Sequence, residues 1–140
     1  MRLAVENVLG ISECSYERVY AWRTSGMLKV PRDPLDGEDC WDEWHVVAVI
    51  ALMEVEAMQD EAIRNPSPWW HPRVRLSGWL KYPLNARLEG AWKLWGDDIT
   101  LTPEGLVRPN DGEDIGSTML AEHFRYVREE LEPFDGETAF

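Results

Sequence analysis

Apolar residues recur at three-residue spacing near the amino end of the chain and predict two short helices there. Val8 and Ile11 share one face of the first helix, and Val19 and Trp22 share one face of the second. Polar residues occupy most of the remaining sides, as on a helix that buries a single stripe. Residues 7–28 therefore predict a helix, a turn and a second helix.

The signals that begin and end helices fall where these two helices need them. Ser15 is placed to cap the second helix, and Gly26 is placed to end it, because glycine readily adopts the left-handed conformation. Residues 29–41 then contain two prolines and an Asp-Gly pair, which favour a hairpin or loop over a helix. The residues alone leave a plain surface loop open as the alternative. Residues 1–6 are either a short lead or a first strand.

A long helix is predicted at 42–64. Asp42 can cap it, Glu43 in its first turn complements the positive end of the helix dipole, and the Asn-Pro pair after Arg64 stops it. Residues 46–53 are apolar on every side, which is typical of a helix that is covered all round. We therefore expect this helix to lie at the centre of the unit. Its apolar run is far too short to span a membrane.

The second half of the chain is predicted to form a small lobe of its own. Residues 65–72 hold three prolines beside two tryptophans and a histidine, which indicates a joint between a unit at 1–64 and an α+β lobe at 73–132. From there on we expect an edge strand at 73–76, a helix at 85–95, a hairpin at 99–108, a helix at 115–132 and an acidic tail at 133–140.

The two helices of the lobe each carry one apolar face. On the helix at 85–95, which Gly96 ends, the face consists of Leu88, Ala91, Trp92 and Trp95. On the helix at 115–132 it consists of Ile115, Met119, Leu120, His123, Val127 and Leu131. Either the lobe itself or the same helix of a second subunit would cover that last face. The eight tryptophans of the chain are expected to supply much of the core.

The amino-terminal unit resembles a known family in its residues as well as in its pattern. Asn7 to Ser15 is similar to the D-V-A-x-x-A-G-V-S opening of bacterial helix-turn-helix repressors. The residues that follow resemble the MerR family, whose pattern runs V-S-x-x-T-L-R-Y-Y-E-x-x-G-L-L. Cys14-Ser15 stands on the V-S of that pattern, Val19 on its leucine, Trp22 on its second tyrosine and residues 26–28 on its G-L-L.

The resemblance continues through roughly the first two-fifths of the chain. Val30-Pro31-Arg32 is similar to the proline-and-arginine start of the family's wing, residues 37–41 to its G-Y-R-Y-Y close, and residues 42–52 to the helix after it. The fold that this implies is mainly α with small β elements. It is a winged helix-turn-helix followed by a small Trp-rich α+β lobe.

The resemblance also implies a function, the sequence-specific binding of double-stranded DNA by a small transcriptional regulator. The second helix would enter the major groove, and the wing would lie on the backbone. The residues implied as DNA contacts are Ser15, Tyr16, Arg18, Tyr20 and Arg23 on or before the second helix, and Lys29 and Arg32 at the start of the wing. A homodimer on a palindrome would compensate for the few charges of each copy.

Charge and three departures from the family pattern support an alternative. The formal net charge is −12, and residues 1–60 hold five basic residues against twelve acids, although all five lie in or beside the helix-turn-helix and the wing. Glu13 stands where the pattern has a glycine, and Tyr20 and Asp39 stand where it has arginines. The alternative is an acidic protein-binding module on a winged scaffold, with a polymerase, a nucleic-acid-binding protein or a viral or phage assembly as its partner.

Residues that carry chemistry do not gather into a catalytic or metal motif. The chain has no glycine-rich phosphate loop, no H-E-x-x-H and no G-x-S-x-G, and its three histidines are scattered over different segments. The paired carboxylates at 97–98 and 113–114 are typical of solvated turns and helix caps. Cys14 and Cys40 stand in no metal spacing, so we expect no metal, no cofactor and no enzyme activity. With no signal peptide before them, a reducing cytoplasm is the expected compartment.

Overall fold

The computed structural model describes residues 2–64, 83–102, 105–110 and 118–133. These ranges contain the helices α1 (Val5–Ser12), α2 (Tyr16–Ser25), α3 (Glu43–Arg64), α4 (Leu84–Trp95) and α5 (Ala121–Leu131), and the strands β1 (Ile99–Leu101), β2 (Val107–Pro109) and β3 (Thr118–Met119). The strands form one antiparallel sheet in the order β2-β1-β3. The expected fold class, mainly α with small β elements, is confirmed. The expected joint at 65–72, the edge strand at 73–76 and the tail beyond Pro133 lie outside the described residues.

The helices α1 and α2 meet at a corner of three residues. Glu13 adopts the left-handed conformation (φ 56°, ψ 42°), and its amide donates to the carbonyl of Leu9 at the end of α1. Ser15 is extended, and its hydroxyl oxygen accepts a hydrogen bond of 3.4 Å from the amide of Arg18. The expected serine cap is therefore confirmed. The four residues expected on the inner faces are all buried, namely Val8, Ile11, Val19 and Trp22.

Gly26 ends α2, as expected, in the left-handed region with a φ of 90°. Its amide donates to the carbonyl of Arg23 at 3.1 Å, and the amide of Met27 donates to the carbonyl of Trp22 at 2.9 Å. Both bonds satisfy carbonyls that the last turn of a helix leaves without partners. Met27 and the next residue, Leu28, are buried, so the chain leaves α2 through the core.

Residues 29–41 form a hairpin, which settles the choice between a hairpin and a plain loop. Arg32 and Asp39 form an antiparallel bridge. The amide of Cys40 donates to the carbonyl of Pro31 at 2.7 Å, and the amide of Asp33 donates to the carbonyl of Glu38 at 2.9 Å. At its base the hairpin also pairs with the first residues of the chain, because Leu3 bridges Trp41.

The helix α3 is the centre on which the other helices pack. Its bounds match the expected ones, and Asp42 caps it as expected by accepting hydrogen bonds from the amides of Trp44 at 2.9 Å and His45 at 3.2 Å. Glu43 is buried in its first turn, and burial raises the pKa of its carboxyl. The helices α1, α4 and α5 all contact α3. Among the side chains of α3 that the structure describes, seven are apolar and fully buried, namely Val46, Val47, Ala48, Val49, Ala51, Leu52 and Val55.

The last helix starts later than the expected 115–132. Thr118 and Met119 instead form β3, which pairs with β1, and the amide of Leu120 donates to the carbonyl of Ile99 at 3.0 Å. Met119 was expected on the buried face of the helix and is 59% exposed, so that expectation was wrong. The edge of β1 offers these residues hydrogen bonds that the helical periodicity of the sequence does not reveal.

The helix α5 packs on α3, which belongs to the amino-terminal unit. Its buried residues are Phe124, Val127 and Leu131, and Leu120 just before it is also buried. Nε2 of His123 lies 2.5 Å from a carboxylate oxygen of Glu54 on α3. The hydroxyl of Tyr126 donates to the carbonyl of Ile11 at 2.9 Å, which ties α5 to the end of α1. Residues from both sides of the expected joint therefore share one buried cluster.

Tryptophans supply part of this cluster. Trp22, Trp41 and Trp44 are buried, and the ring of Trp44 lies 5.7 Å from that of Trp92 and 5.9 Å from that of Phe124, centroid to centroid. Trp95 was expected on the inner face of α4. It is 45% exposed in the last turn of that helix, so this expectation was wrong.

Candidate nucleic-acid interface

The helix α2 exposes most of its length to solvent. It buries Val19 and Trp22, while Tyr16 is 49% exposed and Tyr20 is 53% exposed. The rings of these two tyrosines stack at a centroid distance of 5.8 Å and an interplanar angle of 20°. Aromatic residues, tyrosine among them, are enriched on the surfaces through which proteins bind partners. This stacked pair is therefore the first feature of the outer face of α2 that indicates a binding surface.

Arg23 joins α2 to the hairpin. Its two terminal nitrogens each lie 2.8 Å from one carboxylate oxygen of Asp39, a bidentate pair. Its guanidinium also lies 5.7 Å from the centroid of the Trp41 ring. The hydrogen bond from Arg23 holds the pKa of the Asp39 carboxyl below its usual range. The hairpin therefore has a defined position beside α2, and much of the charge of Arg23 is neutralised.

Arg18 lies on the other flank of α2. Its guanidinium contacts Glu56 of α3 at 2.5 Å and lies 5.3 Å from the centroid of the Trp22 ring. Five residues separate Arg18 from Arg23, which corresponds to about 140° around a helix of 3.6 residues per turn. The arginines expected to act together at DNA therefore point to different sides of α2. Tyr16 and Tyr20 share the side of Arg23, since positions i, i+4 and i+7 form one row.

The two cations expected at the start of the wing remain accessible. Lys29 is exposed, and the side chain of Arg32 is 74% exposed, with its Nε 3.7 Å from an oxygen of Asp39. A pair at that distance and exposure contributes little. The hydroxyl of Ser15 is engaged as the helix cap, although the residue is exposed. Arg2, the fifth basic residue among residues 1–60, pairs with Asp33 at 2.9 Å and Asp36 at 3.2 Å on the hairpin.

The base of the hairpin is held through the backbone of Lys29. The side chain of Asn85 on α4 accepts a 2.9 Å hydrogen bond from the amide of Lys29 and donates a 3.1 Å bond to its carbonyl. Nε2 of His45 lies 2.7 Å from the same carbonyl, while its Nδ1 accepts from the amide of Asp42 at 3.0 Å. Residues of α3 and α4 thus position the base of the hairpin.

The partners that neutralise and position the expected contact residues were not found from the sequence. Glu56 and Asn85 carry no local signal, because each meets its partner from a distant segment. Asp39 stood out in the sequence as a departure from the family pattern, and the structure shows it paired with Arg23.

No protein-family model, curated protein or solved structure matches the chain. Within the described residues, no group of three or more His, Cys, Asp or Glu side chains is arranged to hold a metal ion. In those same ranges, no helix combines the length and the apolar character needed to cross a bilayer. The geometry of α2 and the hairpin therefore carries the functional argument alone.

Proposed function

We propose that the protein is a small sequence-specific DNA-binding regulator with a MerR-like winged helix-turn-helix. The helix α2 would enter the major groove, and the hairpin at 29–41 would be its wing on the backbone. The observation that carries the proposal is the exposed outer face of α2, on which Tyr16 and Tyr20 stack. The pair of Arg23 and Asp39 holds this helix in a fixed position beside the hairpin. The helix and the hairpin therefore form one docking surface that is already in place in the unbound protein.

The electrostatic contribution to this binding is small. Arg18 and Arg23 are each paired with a carboxylate, so Lys29 and Arg32 are the cations most available to phosphates. Each phosphate that a protein neutralises adds about −0.9 to the slope of log affinity against log salt concentration. One copy with two such contacts would therefore show a slope of about −2. Two copies on a palindrome would double it, which is the reason for proposing a homodimer on DNA.

A fluorescence-polarisation titration with random and in-vitro-selected duplexes at low salt tests the proposal. We expect saturable binding whose salt slope falls in magnitude by about 1 per protomer in Lys29→Gln and again in Arg32→Gln. Lys93→Gln is the matched control, since Lys93 is an exposed lysine on α4 whose contact is with Glu89 one turn away. No binding at low salt, or the same slope in all three variants, would overturn the proposal.

A second candidate follows from the groove between α1 and the hairpin. This groove has a volume of about 540 Å³, and its lining includes the acidic residues Glu6 and Glu38 beside Arg2, whose charge is paired with Asp33 and Asp36. Such a surface suits a basic segment of a protein partner, for example on a polymerase or a nucleic-acid-binding protein. The double variant Glu6→Gln, Glu38→Gln should weaken the binding of a basic protein segment and leave DNA binding intact or slightly stronger. A titration of wild type and double variant with a labelled Lys/Arg-rich peptide, run beside the duplex titration, separates the two candidates. Peptide binding that is equal in both proteins would overturn this second candidate.

A further inference from the structure

The outer face of α2 has an unusual charge for a helix that enters DNA. The residues exposed along it are Tyr16, Glu17, Tyr20, Ala21 and Thr24. Arginine that reads guanine in the major groove is the commonest specific contact, and this face presents none. Arg18 lies on the flank toward α3, and Arg23 is turned toward Asp39. Base recognition by this helix must therefore use another chemistry.

Glu17 is placed to supply it. It lies in the first turn of α2, the part of a recognition helix that reaches base edges. It is exposed, and it forms neither an ion pair nor a side-chain hydrogen bond with any residue that the structure describes. The stacked rings of Tyr16 and Tyr20 lie on the adjoining side of α2, one and three positions away from Glu17. Glu17 is thus an acceptor that faces solvent on the outer face of α2.

A carboxylate accepts hydrogen bonds and donates none, which restricts the bases it can read. In the major groove only the N4 amino group of cytosine and the N6 amino group of adenine donate. The amino group of adenine lies between two acceptors, its own N7 and the O4 of thymine, which repel a carboxylate. The amino group of cytosine has an acceptor on one side only, the O6 of guanine. A carboxylate therefore favours cytosine over the other three bases.

We propose that Glu17 determines the specificity of this helix by accepting a hydrogen bond from the N4 amino group of a cytosine in the major groove. This inference rests on the proposed DNA binding. The carboxylate repels the phosphates of every duplex, so it lowers affinity in general, and the bond to cytosine recovers that loss at matching sites alone. Ala21 and Thr24 provide methyl groups on the same face for contact with thymine.

Selection of duplexes from a random pool by the wild type, Glu17→Gln and Glu13→Gln tests the proposal. We expect the wild type to enrich a cytosine by about tenfold over other bases at one position of each site, the discrimination that one good base contact supplies. In Glu17→Gln that position should change to adenine, which glutamine contacts through N6 and N7. Glu13→Gln removes the same charge from the exposed corner before α2 and should keep the cytosine.

The outcomes of this selection separate the two proposals. Enrichment of a guanine whose preference disappears in Arg18→Lys or Arg23→Lys would leave DNA binding standing and overturn the role of Glu17. An enriched motif that is unchanged in Glu17→Gln would do the same. Failure of the wild type to enrich any duplex would overturn the proposed function, and the reading of cytosine with it.

Discussion

Arg23 of α2 and Asp39 of the hairpin are joined by two hydrogen bonds of 2.8 Å, one from each terminal nitrogen of the guanidinium. This one contact has two consequences. It fixes the hairpin beside α2, because a bidentate pair defines orientation as well as distance. It also reduces the charge that α2 presents to solvent, since the guanidinium is partly buried against Trp41. The fixed position of the hairpin and the modest charge of the surface of α2 thus have the same origin.

The pair predicts a pH dependence of stability. The pKa of the Asp39 carboxyl lies below its usual value of 3.8, chiefly through the hydrogen bond from Arg23. A carboxyl whose pKa is lower in the folded state stabilises the fold above its unfolded pKa, and this contribution is lost as the pH falls through the folded pKa. Asp39→Asn should therefore lower the free energy of unfolding by about 1 kcal/mol at pH 7.

Urea denaturation at pH 7 and at a series of acidic pH values measures this effect. The difference between wild type and Asp39→Asn should shrink as the pH falls below 3.8. The neighbouring Glu38→Gln serves as the control, because Glu38 is exposed on the same hairpin and should change stability little at any pH. A difference for Asp39→Asn that stays constant into acid would contradict the account of the pair.

Two glycines of the amino-terminal helices, one at a helix end and one inside a helix, predict opposite effects of a change to alanine. Gly26 has a φ of 90°, which an alanine adopts only with strain, so Gly26→Ala should lower the free energy of unfolding by about 1 kcal/mol. Gly10 lies inside α1, and a Cβ added there meets nothing within 4 Å. Gly10→Ala should therefore raise the free energy of unfolding by about 0.5 kcal/mol. Thermal or urea unfolding gives both values, and a change of the same sign in both variants would be inconsistent with the structure.

Local signals in the sequence located these helix ends correctly, and the physical reason is their short range. The cap at Ser15 and the stop at Gly26 each involve partners within four positions, so the residue types themselves carry the information. The run at 46–53 is apolar on every side of a helix, so it predicts a helix that is buried all round whatever the rest of the fold is. The fold class followed from signals of this kind.

Contacts between distant segments were out of reach for the same reason. Arg18 and Glu56 are 38 positions apart, and nothing near either residue indicates the other. The sequence could therefore place Arg18 on α2 but could not show that it is neutralised. Thr118 and Met119 fit a helical pattern as well as a strand, and the free edge of β1 decided between them. The candidate site was thus predictable in its elements but not in its charge.

The link between Asn85 and Lys29 predicts that α4 stabilises the hairpin at 29–41. Asn85 is buried and forms two hydrogen bonds to the backbone of Lys29. Asn85→Ala leaves these groups without that partner and should lower the free energy of unfolding by about 2 kcal/mol. Exchange of the Lys29 amide, followed by NMR, should become faster in this variant.

Asn85→Asp is the matched comparison for that measurement. It keeps an oxygen that accepts from the amide of Lys29 and loses the donor to its carbonyl. The Lys29 amide should therefore stay protected in Asn85→Asp, although the protein is destabilised. Equal protection of that amide in the wild type and in Asn85→Ala would show that α4 does not stabilise the hairpin.

The most direct test of DNA binding by α2 places a charge in the middle of its outer face. Ala21 is exposed there, so Ala21→Glu and Ala21→Lys add opposite charges without removing a buried contact. Ala86, exposed on α4, provides Ala86→Glu as the control. The measurement is the dissociation constant for a selected duplex at low salt. We predict that Ala21→Glu weakens binding by at least about tenfold, that Ala21→Lys strengthens it, and that Ala86→Glu leaves it unchanged. Equal affinity of the two Ala21 variants would contradict the docking of α2 in the groove.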